Sequence, residues 1–406
     1  RACYGLDRPM TDFAATKALF HMPDGTIYLD GNSLGPLPIA VTARIAQTVT
    51  AEWGNMLITG WNKAGWMAQP TVLADRIGRL IGAEAGHVVL GDTLSIKVYQ
   101  ALAAALDLNP DRRVIVSDTG NFPTDLYMAE GLIKSLGRGH ELRTVAPEDV
   151  MCALTDDVAV LMITQVDYRT GRLHDMAALT KAAQARGIIT VWDLAHSAGA
   201  IPVDLAGCNA DFAVGCTYKY LNGGPGAPAF IYVAPRHIDQ TQPALSGWLG
   251  HVAPFAFDPT YVAGTGIERM RVGTPPVLQM AALEAAMDVW DDVNMDDVRT
   301  RALALSEILI SGVAAKCPDL RLASPRDGAA RGSQVSFHHP EGYAIIQALI
   351  AQGVIGDFRA PDIIRFGVTP LYLDESDINR AVETLADIMA NRTWDQEQFK
   401  TRAAVT

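Results

Sequence analysis

A lysine and an aspartate occupy sequence contexts that suit one kind of cofactor chemistry. Lys219 lies in the run Cys216–Gly224, Asp193 lies in the earlier run Val191–Gly199, and each follows an apolar stretch typical of a buried strand. A lysine amine can form a Schiff base with the aldehyde of pyridoxal phosphate. A carboxylate can keep the pyridine nitrogen protonated, so that the ring accepts electrons. Either residue alone is more commonly a loop lysine or a helix cap, but together they predict a pyridoxal phosphate enzyme with both residues in catalysis.

A phosphate-binding loop is predicted in the run Gly91–Ser95, between a short apolar strand and the predicted helix Ser95–Leu106. Amide groups and hydroxyls at a helix N-terminus bind phosphate well. Thr93, the amide of Leu94 and the hydroxyl of Ser95 are therefore candidate phosphate ligands. A simple serine cap of the helix is the alternative explanation.

Three further residues are candidates for contacts with the cofactor. Phe122 and Asp125 lie in the run Asn121–Asp125 after a predicted strand, and His196 lies three residues after Asp193. The Phe122 ring could lie flat on the pyridine ring, and Asp125 could accept a hydrogen bond from the phenolic side of the cofactor. His196 could bind the phosphate or orient Asp193. The alternatives are a plain turn and helix start and a structural histidine.

One arginine is a candidate for binding the substrate. Arg365 lies in the otherwise apolar strand pattern Ile363–Phe366, and a buried arginine needs a carboxylate partner. In an enzyme that acts on amino acids, the partner would be the substrate α-carboxylate, held through two hydrogen bonds. A structural ion pair explains the same residue equally well.

Strand and helix patterns alternate along the middle of the chain. The uninterrupted apolar run Val158–Thr164 is typical of a parallel strand covered on both faces. The alternation predicts an α/β domain with a mostly parallel sheet, in which ligands bind beyond the C-terminal ends of the strands. The other predicted elements of this part are the strands Val88–Leu90, Arg113–Ser117, Ile188–Trp192, Phe212–Gly215 and Ala229–Val233, and the helices Asp125–Leu136 and Asp175–Arg186.

The rest of the chain predicts a small α+β domain. It combines the helix Met295–Ala315 with short strands and a final helix, Glu375–Ala390. We expect residues 1–55 to form an N-terminal segment that contributes to this small domain. Residues 56–285 would form the large cofactor-binding domain, and residues 286–406 would form the small C-terminal domain.

Composition excludes several classes of function. The net charge of −12 argues against a nucleic-acid surface, and no apolar run approaches the roughly 18 residues that span a bilayer. The five cysteines are irregularly spaced without a Cys-x-x-Cys motif, which favours reduced thiols. The run Arg1–Pro9 lacks a signal-peptide pattern. We therefore expect a cytoplasmic protein with a small-molecule substrate, and with no nucleic acid, membrane or metal.

With these residues in place, the chain resembles the kynureninase family. The motifs occur in family order and span most of the chain. The Asp193 and Lys219 pair specifies only a fold-type-I pyridoxal phosphate enzyme. The segments Tyr28–Pro36 and Ser246–His251 are far more specific to the kynureninase family. The matching segments are Tyr28–Pro36, Asn121–Asp125, Trp192–Gly199, Tyr218–Asn222, Ser246–His251 and Arg271–Pro276.

The resemblance implies a fold-type-I α/β domain, pyridoxal 5′-phosphate, and a homodimer with shared active sites. It implies that Lys219 is the Schiff-base lysine, that Asp193 pairs with the ring nitrogen, and that Tyr218 binds phosphate and assists proton transfer. The remaining implied cofactor contacts are Leu94, Ser95, Phe122, Asp125 and His196 from one subunit, and Trp248 and Thr274 from the other.

For the substrate, the resemblance implies that Arg365 binds the α-carboxylate and that Trp61 and Asn55 lie near the aromatic end. The chain departs from the family pattern at Lys97, where we expect an uncharged polar residue. The implied reaction is hydrolysis of L-kynurenine, or of its 3-hydroxy form, to an anthranilate and L-alanine in tryptophan catabolism.

Two other functions fit the same scaffold. The first is a class V aminotransferase or a cysteine desulfurase, and the latter needs a nucleophilic cysteine on a mobile loop. Cys317 lies between a predicted helix and a predicted strand, where a structural role is expected. The second is a non-catalytic binding protein, which the joint presence of Lys219, Asp193 and Tyr218 argues against.

Overall fold

The computed structural model describes residues 10–402, so Cys3 lies outside the described residues. The β-strands in that range are β1 Ile27–Tyr28, β2 Val88–Leu90, β3 Val114–Asp118, β4 Glu141–Val145, β5 Val158–Thr164, β6 Ile189–Asp193, β7 Phe212–Gly215, β8 Phe230–Val233, β9 Arg321–Leu322, β10 Gln334–His338, β11 Val354–Ile355, β12 Asp357–Arg359 and β13 Ile363–Gly367. The α-helices are α1 Phe13–Lys17, α2 Ile39–Gln47, α3 Gly60–Lys63, α4 Gln69–Leu80, α5 Leu94–Leu108, α6 Pro123–Leu136, α7 Met176–Gln184, α8 Val277–Met287, α9 Met295–Lys316, α10 Gly342–Ala351, α11 Glu375–Ala390 and α12 Glu397–Lys400.

The main sheet has seven strands in the order β2-β8-β7-β6-β5-β3-β4. The strands β3 to β7 pair in parallel, whereas β8 runs antiparallel to both of its neighbours. All seven residues of β5 are buried, as its continuous apolar sequence predicts for a strand covered on both faces. The predicted α/β fold with a mostly parallel sheet is confirmed.

Helices cover both faces of this sheet. Successive residues of a strand point to opposite faces, so neighbouring positions of β6 join different parts of the core. Val191 packs in the cluster that includes Ala101 of α5, and Trp192 packs in the cluster that includes Leu179 of α7. The sheet is therefore fixed from both sides, and its strand ends are rigid supports for a site.

The C-terminal part is built on an antiparallel sheet in the order β12-β13-β10-β9. The helices α9 and α11 pack against each other beside it. The N-terminal strand β1 pairs in parallel with β11, through Ile27 opposite Val354. The division of the chain at residues 55 and 285 stays a prediction.

Two general features bear on function. No helix within residues 10–402 is both long and apolar enough to cross a lipid bilayer. In the same range, no group of three or more histidine, cysteine, aspartate or glutamate side chains is arranged to hold a metal ion.

Candidate active site

The two residues that predicted the cofactor meet at the carboxyl edge of the main sheet. Asp193 is the last residue of β6 and lies opposite Val214 in β7. Lys219 lies in the turn shortly after β7. Because β6 and β7 are parallel neighbours, both side chains are delivered to the same edge, which is where ligands bind in such sheets.

Lys219 is half-buried among three side chains. Its Nζ lies 2.9 Å from Nε2 of His196. It also lies 5.9 Å from the centre of the Phe122 ring and 5.8 Å from the centre of the Tyr218 ring. An ammonium group can only donate, so His196 accepts at Nε2 and carries its proton on Nδ1. The lysine amine is therefore held in a defined position.

Burial controls the charges around this amine. Burial raises the pKa of Asp193 to about 6, although the nearby Lys219 charge and the Ala195 amide, 2.9 Å from Oδ1, favour the ionised form. Burial and the neighbouring Asp193 charge raise the pKa of Asp125 well above its usual value. Burial, and then the charge of Lys219, lower the pKa of His196 far below its usual value. The histidine is therefore neutral at physiological pH.

The loop Gly31–Gly35 packs directly against the Lys219 turn. The Gly35 amide donates to the carbonyl oxygen of Tyr218 over 2.8 Å. A Cβ atom at Gly35 would lie 2.4 Å from the carbonyl oxygen of Lys219 and 2.6 Å from Cα of Asn222, so only glycine fits. The N-terminal segment thus supports the lysine turn, a role that the sequence alone did not assign to it.

Arg365 is buried on β13 and already has a carboxylate partner. Its Nε donates to Oδ1 of Asp357 over 2.6 Å, and its Nη2 donates to Oδ2 of the same group. Its Nη1 donates to the carbonyl oxygen of Tyr168 over 2.5 Å, and Nη2 donates to Oγ of Ser33 over 3.0 Å. The ion pair that the sequence left open is present. Binding of a substrate carboxylate by Arg365 stays a prediction.

A second guanidinium group, which sequence reasoning missed, shares the same carboxylate. Nη2 of Arg359 lies 2.9 Å from Oδ2 of Asp357, and the Arg359 side chain is 35% exposed. Burial and the charge of Arg365 lower the pKa of Arg359. A second carboxyl group, that of Asp30, also interacts with both arginines, and burial and the charge of Asp357 raise its pKa to about 7. The sequence signal that could have found this second guanidinium group is the charged pair Asp357 and Arg359 at alternate positions of β12, of which Asp357 lies opposite Arg365 on β13.

This arginine pair connects to the lysine through aromatic rings. The Tyr168 backbone accepts a hydrogen bond from Arg365, and the Tyr168 ring packs edge-on against Phe122 with 5.1 Å between ring centres. Phe122 in turn lies beside Lys219. The charges of Arg365 and Arg359 also contribute to the lowered pKa of His196, which contacts Lys219, so they act next to the lysine amine.

The predicted phosphate loop leads into α5, which begins at Leu94 with Thr93 as its N-cap. Ser95 is therefore inside the first turn and is not the cap. The Thr93 side chain makes no capping hydrogen bond, and the first amides of a helix have no partner within the helix. Asp92 has a φ of 57°, in the left-handed region, which turns the chain sharply into the helix.

Four predicted contact residues lie elsewhere in the chain. Trp248 is 39% exposed and packs edge-on against a neighbouring phenylalanine. Thr274 lines a cavity beside the phosphate loop. Trp61 packs against another tryptophan, and Asn55 is exposed. Within residues 10–402, no hydrogen bond, ion pair or ring contact joins these four to Lys219.

The residues around Lys219 fit pyridoxal phosphate. The buried Oδ2 of Asp125 and Nδ1 of His196 have no hydrogen-bond partner among the described residues. The Phe122 ring is 40% exposed beside the lysine amine. An amine for the aldehyde, a buried carboxylate for the ring nitrogen, an open aromatic face and two orphaned polar atoms are the groups that this cofactor requires.

Comparisons with known proteins show which family the sequence matches. Residues 298–385 match the family described as the kynureninase C-terminal domain. The chain is 51% identical over 400 residues to kynureninase from Burkholderia pseudomallei (strain 1106a), covering 97% of this chain and 96% of the relative. It is 49% identical over 411 residues to kynureninase from Pseudomonas fluorescens, covering 100% of this chain and 99% of the relative.

Solved structures with lower identity share the fold. The cysteine desulfurase of Thermococcus onnurineus NA1 superposes with a TM-score of 0.79 at 17% identity, covering 95% of this chain and 100% of that chain. A C-DES mutant with glycine covalently linked to its PLP cofactor also gives a TM-score of 0.79 at 19% identity, covering 93% of this chain and 100% of that chain. These neighbours support the fold-type-I architecture.

Proposed function

The chain belongs to the kynureninase family, and from this membership and the site geometry we propose which residues carry the reaction. The chain hydrolyses L-kynurenine, or its 3-hydroxy form, at the Cβ–Cγ bond and releases an anthranilate and L-alanine. Its cofactor is pyridoxal 5′-phosphate, which when bound supplies an electron sink for the substrate carbons. The observation that supports the residue assignment is the placement of Lys219 and Asp193 at adjoining strand ends beside the open face of Phe122.

We assign the movement of the substrate α-proton to Lys219. Its Nζ lies 2.9 Å from His196, and the low pKa of that histidine keeps it a neutral acceptor that orients the amine. With the cofactor bound, Asp193 would hold the proton on its ring nitrogen, because a buried carboxylate without such a partner is costly. Phe122 offers an open aromatic face on which the cofactor ring would stack.

We assign proton donation to the released carbon to Tyr218. The neighbouring Cys216 thiol, followed by burial, raises the pKa of the Tyr218 hydroxyl above its usual value. The hydroxyl is protonated at neutral pH, as a general acid must be, but the raised pKa makes it a weaker acid, so the assignment rests on its position. Its ring lies next to the Lys219 amine, which supports a role of both groups in the same proton transfers.

A homodimer with shared sites is part of the proposal. Trp248 lies in a surface region with several exposed apolar side chains, including Phe255, which is 65% exposed, and Phe257, which is 74% exposed. Exposed apolar surface of this kind is typical of a protein interface. Covering this region with a second copy would bring Trp248 and Thr274 to a neighbouring site, as the family resemblance implies.

Product analysis tests the function. Incubation of the holoenzyme with L-kynurenine is expected to yield anthranilate and alanine in equal amounts, without any added keto acid. Water, rather than a second amino acceptor, is the co-substrate of a hydrolysis. Chromatographic quantification of both products decides the matter. A requirement for pyruvate or another keto acid would identify an aminotransferase instead.

The desulfurase alternative is weakened by its candidate nucleophile. Cys317 is 1% exposed and lies just after α9. Burial raises the pKa of its thiol to about 11, whereas a nucleophilic cysteine needs an accessible, low-pKa thiolate. Cys317 is therefore structural, which favours hydrolysis over sulfur transfer on this scaffold.

Arg365→Lys tests the carboxylate clamp. A lysine keeps the charge but loses the planar fork, so KM for L-kynurenine is expected to rise by roughly tenfold or more. The absorbance of the bound cofactor should not change, because among the described residues Arg365 makes no hydrogen bond to Lys219, His196 or Asp193 and lysine keeps its charge. Steady-state kinetics and thermal unfolding are the measurements. An unchanged KM with a lower melting temperature would leave Arg365 with only its structural pairing to Asp357.

A further inference from the structure

Lys97 is a fully buried cation in the first turns of α5. Its Nζ donates to Oε1 of Gln100 over 2.9 Å, to Oδ2 of Asp92 over 3.3 Å, and to the carbonyl oxygen of Met270 over 3.3 Å. These contacts join the phosphate loop to residues 270–274, a segment that we call the 270–274 strap. The charge is unexpected, because the family resemblance predicts an uncharged polar residue here.

Within residues 10–402 the Lys97 ammonium has one carboxylate partner, and its three hydrogen-bond acceptors match its three N–H donors. Asp92 is the acidic side chain that pairs with it among the described residues, and the Asp92 side chain is 31% exposed. Burial lowers the pKa of Lys97, Asp92 opposes this effect, and the positive charge of Arg271 adds to it. A buried ammonium group is costly unless it is well paired. An anion bound at the phosphate loop would add a second favourable interaction with the Lys97 ammonium.

The structure provides space for such an anion. A cavity of about 190 Å³ lies between the phosphate loop, with Gly91 and Asp92, and the 270–274 strap, with Gly273 and Thr274. A Cβ atom at Gly91 would lie 3.8 Å from Nζ of Lys97, so the ammonium lies directly behind the loop backbone. The loop that leads into α5 is therefore backed by the buried Lys97 ammonium, although neither Lys97 nor a residue of α5 lines the cavity itself.

We propose that Lys97 is a positioning residue for the cofactor phosphate. Its ammonium group places positive charge behind the phosphate loop and fixes that loop against the 270–274 strap. A phosphate monoester carries a charge of about −1.5 to −2 at neutral pH, so the ammonium group behind the loop attracts it. The inference rests on the proposed function, since it takes pyridoxal phosphate as the ligand, and it adds a residue that the family resemblance did not supply.

The test compares ligands with and without the phosphate. Lys97→Met removes the charge and keeps the length of the side chain. Titration of the cofactor-free protein, followed by absorbance, is expected to show a Kd for pyridoxal 5′-phosphate raised by roughly tenfold. The Kd for pyridoxal, which lacks the phosphate, is expected to stay within about twofold of the wild-type value. Equal changes for both ligands, or no change for either, would overturn the proposal.

Two further variants keep the test decisive. Lys97→Gln retains amide donors for the Met270 carbonyl and removes only the charge, so the same phosphate-selective loss is expected even if Lys97→Met folds poorly. Lys181→Met removes an exposed lysine on α7 and should change neither affinity. A wild-type protein that binds neither ligand would refute the proposed function as well. If the wild-type protein cleaves kynurenine but the Lys97 variants lose no affinity for pyridoxal 5′-phosphate relative to pyridoxal, only this inference would be refuted.

Discussion

Lys219→Ala is expected to lose kynurenine hydrolysis, with kcat reduced by at least roughly 10³-fold. Alanine has no amine to hold the cofactor covalently or to move the substrate α-proton. The absorbance band at about 420 nm, typical of a cofactor joined to a lysine, should disappear with the activity. Steady-state kinetics and the absorbance spectrum of the cofactor-loaded variant are the measurements.

The fold should survive this substitution. Lys219 is half-buried in a turn, and among residues 10–402 its Nζ has one hydrogen-bond partner, His196. The melting temperature of the cofactor-free variant should therefore stay close to the wild-type value. Normal turnover in Lys219→Ala would remove Lys219 from the mechanism.

Asp193→Asn is expected to reduce kcat by roughly 10²–10³-fold while the protein still binds the cofactor. An uncharged amide cannot keep the proton on the ring nitrogen, so the substrate α-proton is no longer acidic enough to be removed. Exchange of the α-proton of L-alanine in heavy water, followed by NMR, isolates this step. Wild-type exchange rates in the variant would contradict the role of Asp193.

In the absence of cofactor, Asp193→Asn should be more stable than the wild-type protein. Burial raises the pKa of Asp193 from 3.8 to about 6, so the buried carboxylate costs folding free energy at pH above 6. The cost is on the order of 3 kcal/mol at most, and it fades as the pH falls from 6 toward 4. Asp193→Asn should therefore raise the melting temperature at pH 8, and the gain should shrink at pH 5.

Asp211→Asn is the matched control, and its effect on folding stability is expected to have the opposite sign. Burial opposes ionisation of Asp211, but hydrogen bonds from His237 and Thr190, with the charge of Arg236, lower its pKa to about 2. Its stabilising contribution is complete above pH 3.8 and is lost as the pH falls toward 2. Asp211→Asn should therefore lower the melting temperature at pH 8 and by a similar amount at pH 5.

Sequence periodicity predicted most of the sheet because its strands are short and buried on both faces. β5 was predicted with its observed bounds, Val158–Thr164. β4, Glu141–Val145, was missed because it is the outer strand of the sheet and none of its five residues is buried. Its alternating polar sequence lacks the continuous apolar run that identified the other strands.

The candidate site could be predicted from the sequence where a functional side chain follows directly after a single buried strand. Lys219 and Asp193 each follow a buried strand, and parallel pairing then brings them together. Contacts between distant segments were not predictable in this way. The pairing of Arg365 with Asp357 depends on the register of β12 and β13, and the fit of Gly35 against the Lys219 turn depends on tertiary packing.

The most direct test of the account is to locate the lysine that holds the cofactor. The wild-type protein would be loaded with pyridoxal 5′-phosphate, reduced with borohydride, digested, and analysed by mass spectrometry. The site geometry predicts a single phosphopyridoxyl group on Lys219. A group on another lysine, such as the buried Lys97, or the absence of any modified peptide would contradict the account.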